Sequence, residues 1–207
     1  MHERFKDRPL SHSQLSSFEY DKEQWYQSYI LGIRLPANPN MLAGSRIGDS
    51  IGTDTSEVPD LVPPGIKEYK LVGEIDGIHM IGYADHHCPD TLVLNENKTS
   101  TTKYRWNQRK TDEHLQLTMY ALLLQLQDKV APEEVTMYLN FIPLQLKGVD
   151  LKPTGVVKSY ETRRTQEQVN DYIKYLKQTI EDMDSYAQWR VAQDKQRASI
   201  NGTARLL

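Results

Sequence analysis

Three short apolar segments between Lys70 and Lys98 constrain this chain more than any other feature. Lys70 to Gly73 and Ile78 to Asp85 flank Asp76-Gly77, a dipeptide suited to the left-handed backbone of a tight hairpin turn. Leu92-Val93-Leu94 then leads into Glu96-Asn97-Lys98, eleven residues beyond the end of Gly82-Tyr83-Ala84-Asp85. The pattern predicts a three-stranded meander. Side chains alternate along a strand, so Glu96 and Lys98 leave one face, while Leu92 and Leu94 earlier on that face can stay in the core. A turn over Cys88-Pro89-Asp90-Thr91 sets Asp85 opposite Leu94 and therefore on the Glu96 face, as does any loop of even length.

That placement has a chemical consequence. Two carboxylates about 4 Å apart repel by roughly 4 kcal/mol at an effective dielectric of about 20, so a half-buried pair needs a proton or a cation. Hard oxygen donors without a partnering Cys or His set favour magnesium or manganese over zinc. Lys98 then supplies positive charge beside a developing oxyanion, or orients an attacking water. Taken alone, the same three residues would mostly mark an exposed hairpin with a surface ion pair.

Further segments occur in a fixed order around this centre. Leu10-Ser11-His12-Ser13-Gln14-Leu15 is followed by Trp25-Tyr26 and Tyr29-Ile30-Leu31-Gly32; Gly82-x-x-Asp85 precedes Glu96-x-Lys98-Thr99-Ser100; His114-x-Gln116-x-x-x-Tyr120 follows. The ordered set resembles the RecB-like branch of the PD-(D/E)XK nucleases, which includes phage exonucleases and CRISPR-associated adaptation nucleases. The resemblance implies a restriction-endonuclease-like α/β fold, a central mixed β-sheet flanked by helices. It also implies that Asp85, Glu96 and the Asn97 backbone carbonyl hold Mg2+ or Mn2+, with Lys98 as the third catalytic residue. The chain departs from the branch in one respect: the metal-ligating His of a G-x-x-x-H context is missing, and no His lies between His12 and His79. Asp49, Asp54 or Glu57 could supply an oxygen ligand instead, or each could be an ordinary loop residue. Some relatives carry a four-Cys iron-sulfur cluster; the lone Cys88 excludes one here.

The formal net charge of -3 gives no global attraction for nucleic acid, so a DNA contact requires a local patch. Residues 98–110, KTSTTKYRWNQRK, hold five basic residues and no acid. Lys103, Arg105, Arg109 and Lys110 could contact phosphates, while Tyr104 and Trp106 could stack on bases at roughly 1 to 3 kcal/mol each. The alternative is a solvated loop whose Trp docks on the core. Gln116 and Tyr120 share one side of the following helix, where Gln116 could bond a phosphate or nucleotide edge and Tyr120 could brace Lys98. Arg163 and Arg164 could extend the basic groove or remain solvated charges.

At 207 residues with 38% apolar content, the chain is long enough for one mixed core. A single nuclease-like domain over residues 1–191 is expected, with a flexible tail over 192–207. Ser11 or Ser13 can cap a helix running to about Ile30. Leu31 to Gly65 reads mainly as loop with a short helix between Gly44 and Ile51. Thr111 can cap a helix over 111–127. Val135 to Ile142, Leu144 to Val149 and Gly155 to Tyr160 suggest strands, and Glu167 to Trp189 a long amphipathic helix. His86-His87-Cys88 is expected in a surface turn without a metal. The lone cysteine, the absence of a roughly 20-residue apolar run and the N-terminus Met1-His2-Glu3-Arg4 lead to the expectation of an intracellular, cytoplasmic protein without a membrane partner, of cellular or viral origin.

The expected activity is a metal-dependent deoxyribonuclease, an exonuclease acting on single-stranded DNA or DNA ends. A loop-gated single-strand endonuclease and a nuclease-derived DNA-binding module with weakened catalysis are the alternatives.

Overall fold

A computed structural model describes residues 8–33 and 36–204. Its strands are β1 (Ile66–Ile75), β2 (Ile78–Cys88), β3 (Val93–Ser100), β4 (Thr136–Lys147), β5 (Asp150–Pro153) and β6 (Lys158–Thr162). Its α-helices are α1 (His12–Tyr20), α2 (Lys22–Trp25), α3 (Pro39–Ser50), α4 (Gln108–Asp112), α5 (Leu115–Asp128) and α6 (Gln166–Ala204). The chain divides into two compact units. One comprises Pro36–Gly73 and Ile81–Asn170; the other comprises Glu74–Met80 with the described parts of Met1–Leu35 and Asp171–Leu207.

The sheet has the order β1-β2-β3-β4-β5, with β6 also paired to β4. Asp76 and Gly77, at φ 51 and φ 79, make the expected tight turn from β1 to β2. In the antiparallel β2–β3 pair, Cys88 lies opposite Val93 and His86 opposite Asn95. This register is offset by two residues from the predicted one, because the turn falls on residues 89–92 rather than 88–91. An offset of two preserves the face of every side chain, and one more residue along the ladder sets Asp85 across from Glu96. β3 and β4 run parallel, with Glu96 beside Leu139 and Lys98 beside Phe141, and α5 lies in the crossover between them. The sheet is therefore mixed, as expected.

Where the sequence suggests two strands split at Pro143, β4 is continuous. It pairs with β6 up to Phe141 and with β5 from Leu144 onward. Pro143 stands where the partners change, so its missing N–H removes no bond from either ladder. Helices flank the sheet within this unit. Ala43 and Ile47 of α3 form a buried cluster with Ile142 and Leu144, and every residue of α5 from Leu117 to Leu124 is buried. The helix α3 is longer than predicted, because Asn38 accepts a hydrogen bond from the Met41 N–H and Pro39 sits in its first turn. Thr111 does not cap α5. Asn107 caps the short α4, Thr111 is buried with its hydroxyl donating to the Asn107 carbonyl, and α5 begins after His114.

In the other unit the predicted helix to Ile30 is broken at Asp21. Its carboxylate accepts from the Glu23 and Gln24 N–H groups and starts α2, which opens into a π turn over Tyr26–Ile30. Ser11 holds the position before α1 without a side-chain capping bond. Phe18, Trp25 and Tyr26 gather around Tyr186, with ring centroids 6.1 to 6.5 Å from it, so these aromatics are core. The helix α6 runs past Trp189 to Ala204. Arg190 donates to Glu23 and Asp194, and Tyr26 donates to Asp194, which gives the extra turns tertiary partners that periodicity does not reveal. Of the tail expected over 192–207, residues 205–207 lie outside the described residues. No described helix is long and apolar enough to cross a membrane.

Candidate active site

The centre forms where β2 and β3 face α5. Asp85 comes from β2, and Glu96, Asn97 and Lys98 come from β3. The Asn97 N–H donates to Asp85 Oδ2 at 2.5 Å. Lys98 Nζ lies 2.6 Å from Glu96 Oε1 and donates to Gln116 Oε1 at 2.7 Å. Gln116 Nε2 in turn donates to the Tyr120 hydroxyl at 2.6 Å, and that hydroxyl donates to the Tyr83 carbonyl at 2.6 Å. One hydrogen-bonded chain thus runs from the β2 backbone through α5 to Lys98. Two of the three ammonium donors of Lys98 are committed, and the third remains for a phosphate oxygen or a water.

Gly82 explains the first position of the Gly82-x-x-Asp85 motif. A Cβ on Gly82 would stand 2.7 Å from Tyr120 Cε1, so a larger residue would push the ring off β2 and break the chain that holds Gln116. Gly44 does similar work for α3: a Cβ there would meet Thr99 Oγ1 at 3.0 Å.

The electrostatics show a surplus of negative charge. Burial, and then the neighbouring Glu96 carboxylate, push Asp85 up to about 8. The Asn97 N–H and Lys98 oppose that rise, whereas Glu68 adds to it. Burial and the Glu96 carboxylate also raise Tyr120 well above the ordinary phenol range, which keeps the proton on its hydroxyl for donation to the Tyr83 carbonyl. Glu96 is buried, and its Oε2 has no hydrogen-bond partner among the described residues. An orphaned buried carboxylate oxygen beside a carboxyl group that resists ionisation suits the binding of a cation. The donors fit a hard divalent ion: two carboxylates and the Asn97 carbonyl, with waters completing the shell. Among the described residues no three His, Cys, Asp or Glu side chains stand together closely enough to hold a metal. The fit therefore rests on the backbone donor as well as the acids.

A cleft of about 500 Å³ opens beside these groups, lined by Asp49, Glu68, Asp85, Asn97, Lys98 and Thr99 among others. Of the three acids considered as substitutes for the missing His, only Asp49 borders it. Glu57 is engaged by Arg46 at 2.9 Å and Lys152 at 3.4 Å, and Asp54 lies in the exposed turn after α3. Glu68 is an acid that the sequence does not bring forward, because its pattern suggests a strand only from Lys70, whereas β1 begins at Ile66. It adopts φ 52, and the preceding Lys67 donates to the Asp49 and Ile51 carbonyls at the end of α3.

The basic segment continues directly from β3 through turns into α4. Tyr104 is 73% exposed, with Lys103 Nζ 5.5 Å and Lys158 Nζ 5.6 Å from its ring centroid. Lys158, from β6, is a second residue the sequence did not bring forward. Trp106 is half-buried with its ring 4.8 Å from His114, and its carbonyl accepts from Tyr160, so it docks rather than projects. Arg105 is exposed, Arg109 pairs with Glu113, and Lys110 donates to the Arg105 carbonyl. Arg163 donates to the Glu133 carbonyl. Arg164 is no part of a groove: it is 1% exposed and bonded to Thr118, Thr162, Thr111 and His114. His86 and His87 are likewise buried in β2, not in a surface turn, because the strand continues three residues beyond Asp85. Burial lowers the pKa of both.

Residues 43–198 match the family model of the PD-(D/E)XK nuclease superfamily. By sequence the chain matches no curated protein. Its fold is similar to that of a candidate exonuclease from Eubacterium rectale, with a TM-score of 0.58 and 14% identity over 90% of this chain and 83% of the other. It is similar to a phage-related exonuclease from Haemophilus somnus, at 0.54 and 11% identity over 92% of both chains. It is also similar to the alkaline exonuclease LHK-Exo from Laribacter hongkongensis, at 0.56 and 12% identity over 95% of this chain and 99% of that one. The same enzyme in complex with dAMP gives 0.54 and 13% identity over the same shares. At these identities the likeness concerns the fold.

Proposed function

This chain belongs to the PD-(D/E)XK nuclease superfamily, and we propose that it is a divalent-metal-dependent deoxyribonuclease that removes nucleotides from single-stranded DNA or DNA ends. The observation that carries the reading is the pairing of Asp85 with buried Glu96, whose free Oε2 stands beside a lysine held by Gln116. Members of the family generally use divalent metals. Asp85, Glu96 and the Asn97 carbonyl would hold the ion, and Mg2+ or Mn2+ suits their oxygen donors. When bound, it supplies Lewis acidity toward the phosphate and makes a water more acidic.

The chain's own groups account for the rest. Asn97 holds Asp85 in place through its N–H. Gln116 and Glu96 fix Lys98 so that its remaining donor can face a phosphate oxygen or the attacking water, where it offsets charge as the water adds to phosphorus and the bond to the leaving oxygen breaks. Lys103, Tyr104, Arg105 and Lys158 offer phosphate contacts and one exposed ring for a base. The exonuclease reading draws support from similar folds among exonucleases, one of them solved with dAMP.

Cleavage of end-labelled linear and circular single-stranded DNA with Mg2+ or Mn2+ tests the proposal. Linear DNA is expected to shorten from an end while circles survive. Cleaved circles would make the protein an endonuclease, and no cleavage with either metal would reject the catalytic reading.

A further inference from the structure

A buried row of polar side chains crosses the sheet on the face opposite Glu96 and Lys98. Asn140 of β4 stands in register with Asn97 of β3 on one side and Ser159 of β6 on the other. Its Nδ2 donates to Asn97 Oδ1 and Asn95 Oδ1, each at 3.1 Å, and its Oδ1 accepts from Ser159 Oγ at 2.7 Å. Both amide donors and the carbonyl of Asn140 are used, so the side chain has one orientation. Its neighbours Leu139 and Phe141 are fully buried apolar residues, and Asn140 itself is 2% exposed.

The row is not balanced for its own stability. Asn95 Nδ2 and Asn97 Nδ2 are buried without a partner among the described residues, and each such group costs about 1 to 3 kcal/mol. A costly polar row in the middle of a sheet is accounted for if it specifies a conformation. Asn97 is where the row meets the active site. Its side chain is held from behind by Asn140 while its N–H holds Asp85 in front.

We propose that Asn140 is a positioning residue that, through the Asn97 side chain, fixes the Asn97 backbone and with it Asp85 for metal binding. The inference rests on the metal-dependent reading of the site. Asn140 touches neither metal nor substrate, and its effect passes through the Asn97 backbone, whose carbonyl would contribute one donor and whose N–H orients another.

Isothermal titration with Mn2+ of wild type, Asn140→Leu, Asn97→Ala, the double variant and Ser159→Ala tests this, with circular dichroism reporting folding. Asn97→Ala retains the backbone carbonyl and removes only the link to Asn140. Each of the first two variants should weaken Mn2+ binding about 10- to 100-fold, the range for residues that orient metal ligands. The double variant should bind no more weakly than the worse single variant, because both cut one connection. Ser159→Ala should give a smaller loss in the same direction. A folded Asn140→Leu with wild-type affinity, or additive losses in the double variant, would overturn the inference. If Asn140→Leu does not fold, unchanged affinity in both Asn97→Ala and Ser159→Ala overturns it. Wild type that binds no Mn2+ would remove the metal-dependent reading and this inference together, whereas binding unchanged in the variants removes this inference alone.

Discussion

The Asn97 N–H donates to Asp85 Oδ2 at 2.5 Å, so the strand that carries Glu96 and Lys98 also holds the carboxylate opposite them. That single bond does not offset the cost of placing Asp85 in a shielded site next to Glu96. Its pKa stands at about 8, against an ordinary 3.8.

A raised folded-state pKa means that the folded protein holds a proton the unfolded chain has released. The contribution of Asp85 to stability is complete below about pH 4 and is lost as pH rises through about 8, with a slope of at most about 1.4 kcal/mol per pH unit. Metal-free protein should therefore melt at a lower temperature at pH 8 than at pH 6, and Asp85→Asn should flatten that dependence. Near pH 7, metal binding should expel the proton. Titrations with Mn2+ in buffers of different ionisation enthalpy measure it directly; equal heats in all buffers would contradict the protonated state.

Lys98 has two fixed acceptors, and Gln116 is the one whose loss leaves Asp85 and Glu96 intact. Gln116→Leu should leave Mn2+ affinity near the wild-type value and lower kcat about 100-fold, the scale of a mispositioned catalytic group. Tyr120→Phe, which removes the bond to the Tyr83 carbonyl and leaves the Gln116 amide underused, should fall in the same direction by a smaller factor. Lys98→Ala and Glu96→Ala should abolish cleavage while the fold persists, as read by steady-state digestion alongside circular dichroism. Activity in Glu96→Ala equal to wild type would place the chemistry elsewhere.

Much of this centre was legible in the sequence because strands obey a period of two. The sequence suggests a hairpin loop one residue earlier than the observed one, yet any even loop keeps Asp85 and Glu96 on one face, so the site is unchanged. The resemblance to the family's Q-x-x-x-Y pattern points to Gln116 and Tyr120, and a helical spacing of four puts them on one side of the helix. What periodicity could not supply were contacts between residues distant in sequence. Glu68 enters the cleft through a left-handed residue in a strand whose first half lacks apolar alternation, Lys158 approaches Tyr104 only because β6 returns beside β4, and Asn140 is one polar residue inside an apolar strand. Sequence type alone suggests an exposed Arg164, in the groove or solvated, because arginine is normally exposed; its acceptors are carbonyls and hydroxyls from three separate segments.

The exposed ring of Tyr104 beside two ammonium groups separates the roles within the basic segment. Tyr104→Ala should weaken single-stranded DNA binding by about 1 to 3 kcal/mol, the worth of one stacked base, with little change in salt dependence. Lys158→Ala should instead lower the slope of log affinity against log salt by about 0.7, the loss of one phosphate contact on a single strand. Arg109→Ala should have the smaller effect on binding, since its guanidinium already pairs with Glu113 at 3.0 Å. Fluorescence anisotropy over a salt series distinguishes the three. Equal losses from all would mean a diffuse field instead of a stacking platform.

Arg164 gives a prediction about how the site is held. Its Nε donates to Thr118 Oγ1 at 2.8 Å, Nη1 to Thr162 Oγ1 at 2.7 Å, and Nη2 to the Thr111 and His114 carbonyls at 2.9 and 3.2 Å. Those carbonyls lie at the break between α4 and α5, two residues before Gln116 in the case of His114. Arg164→Met would keep much of the volume and leave buried acceptors unpaired, for a loss of about 3 kcal/mol or more. Arg164→Lys should recover little, because an ammonium has three donors and no planar fork with which to span hydroxyls and carbonyls on separate segments. Since the start of α5 then loses its anchor, kcat should fall in both variants even below their melting temperatures. Urea melts paired with digestion rates under native conditions provide the check, and a destabilised variant with full kcat would show that α5 keeps Gln116 in place without Arg164.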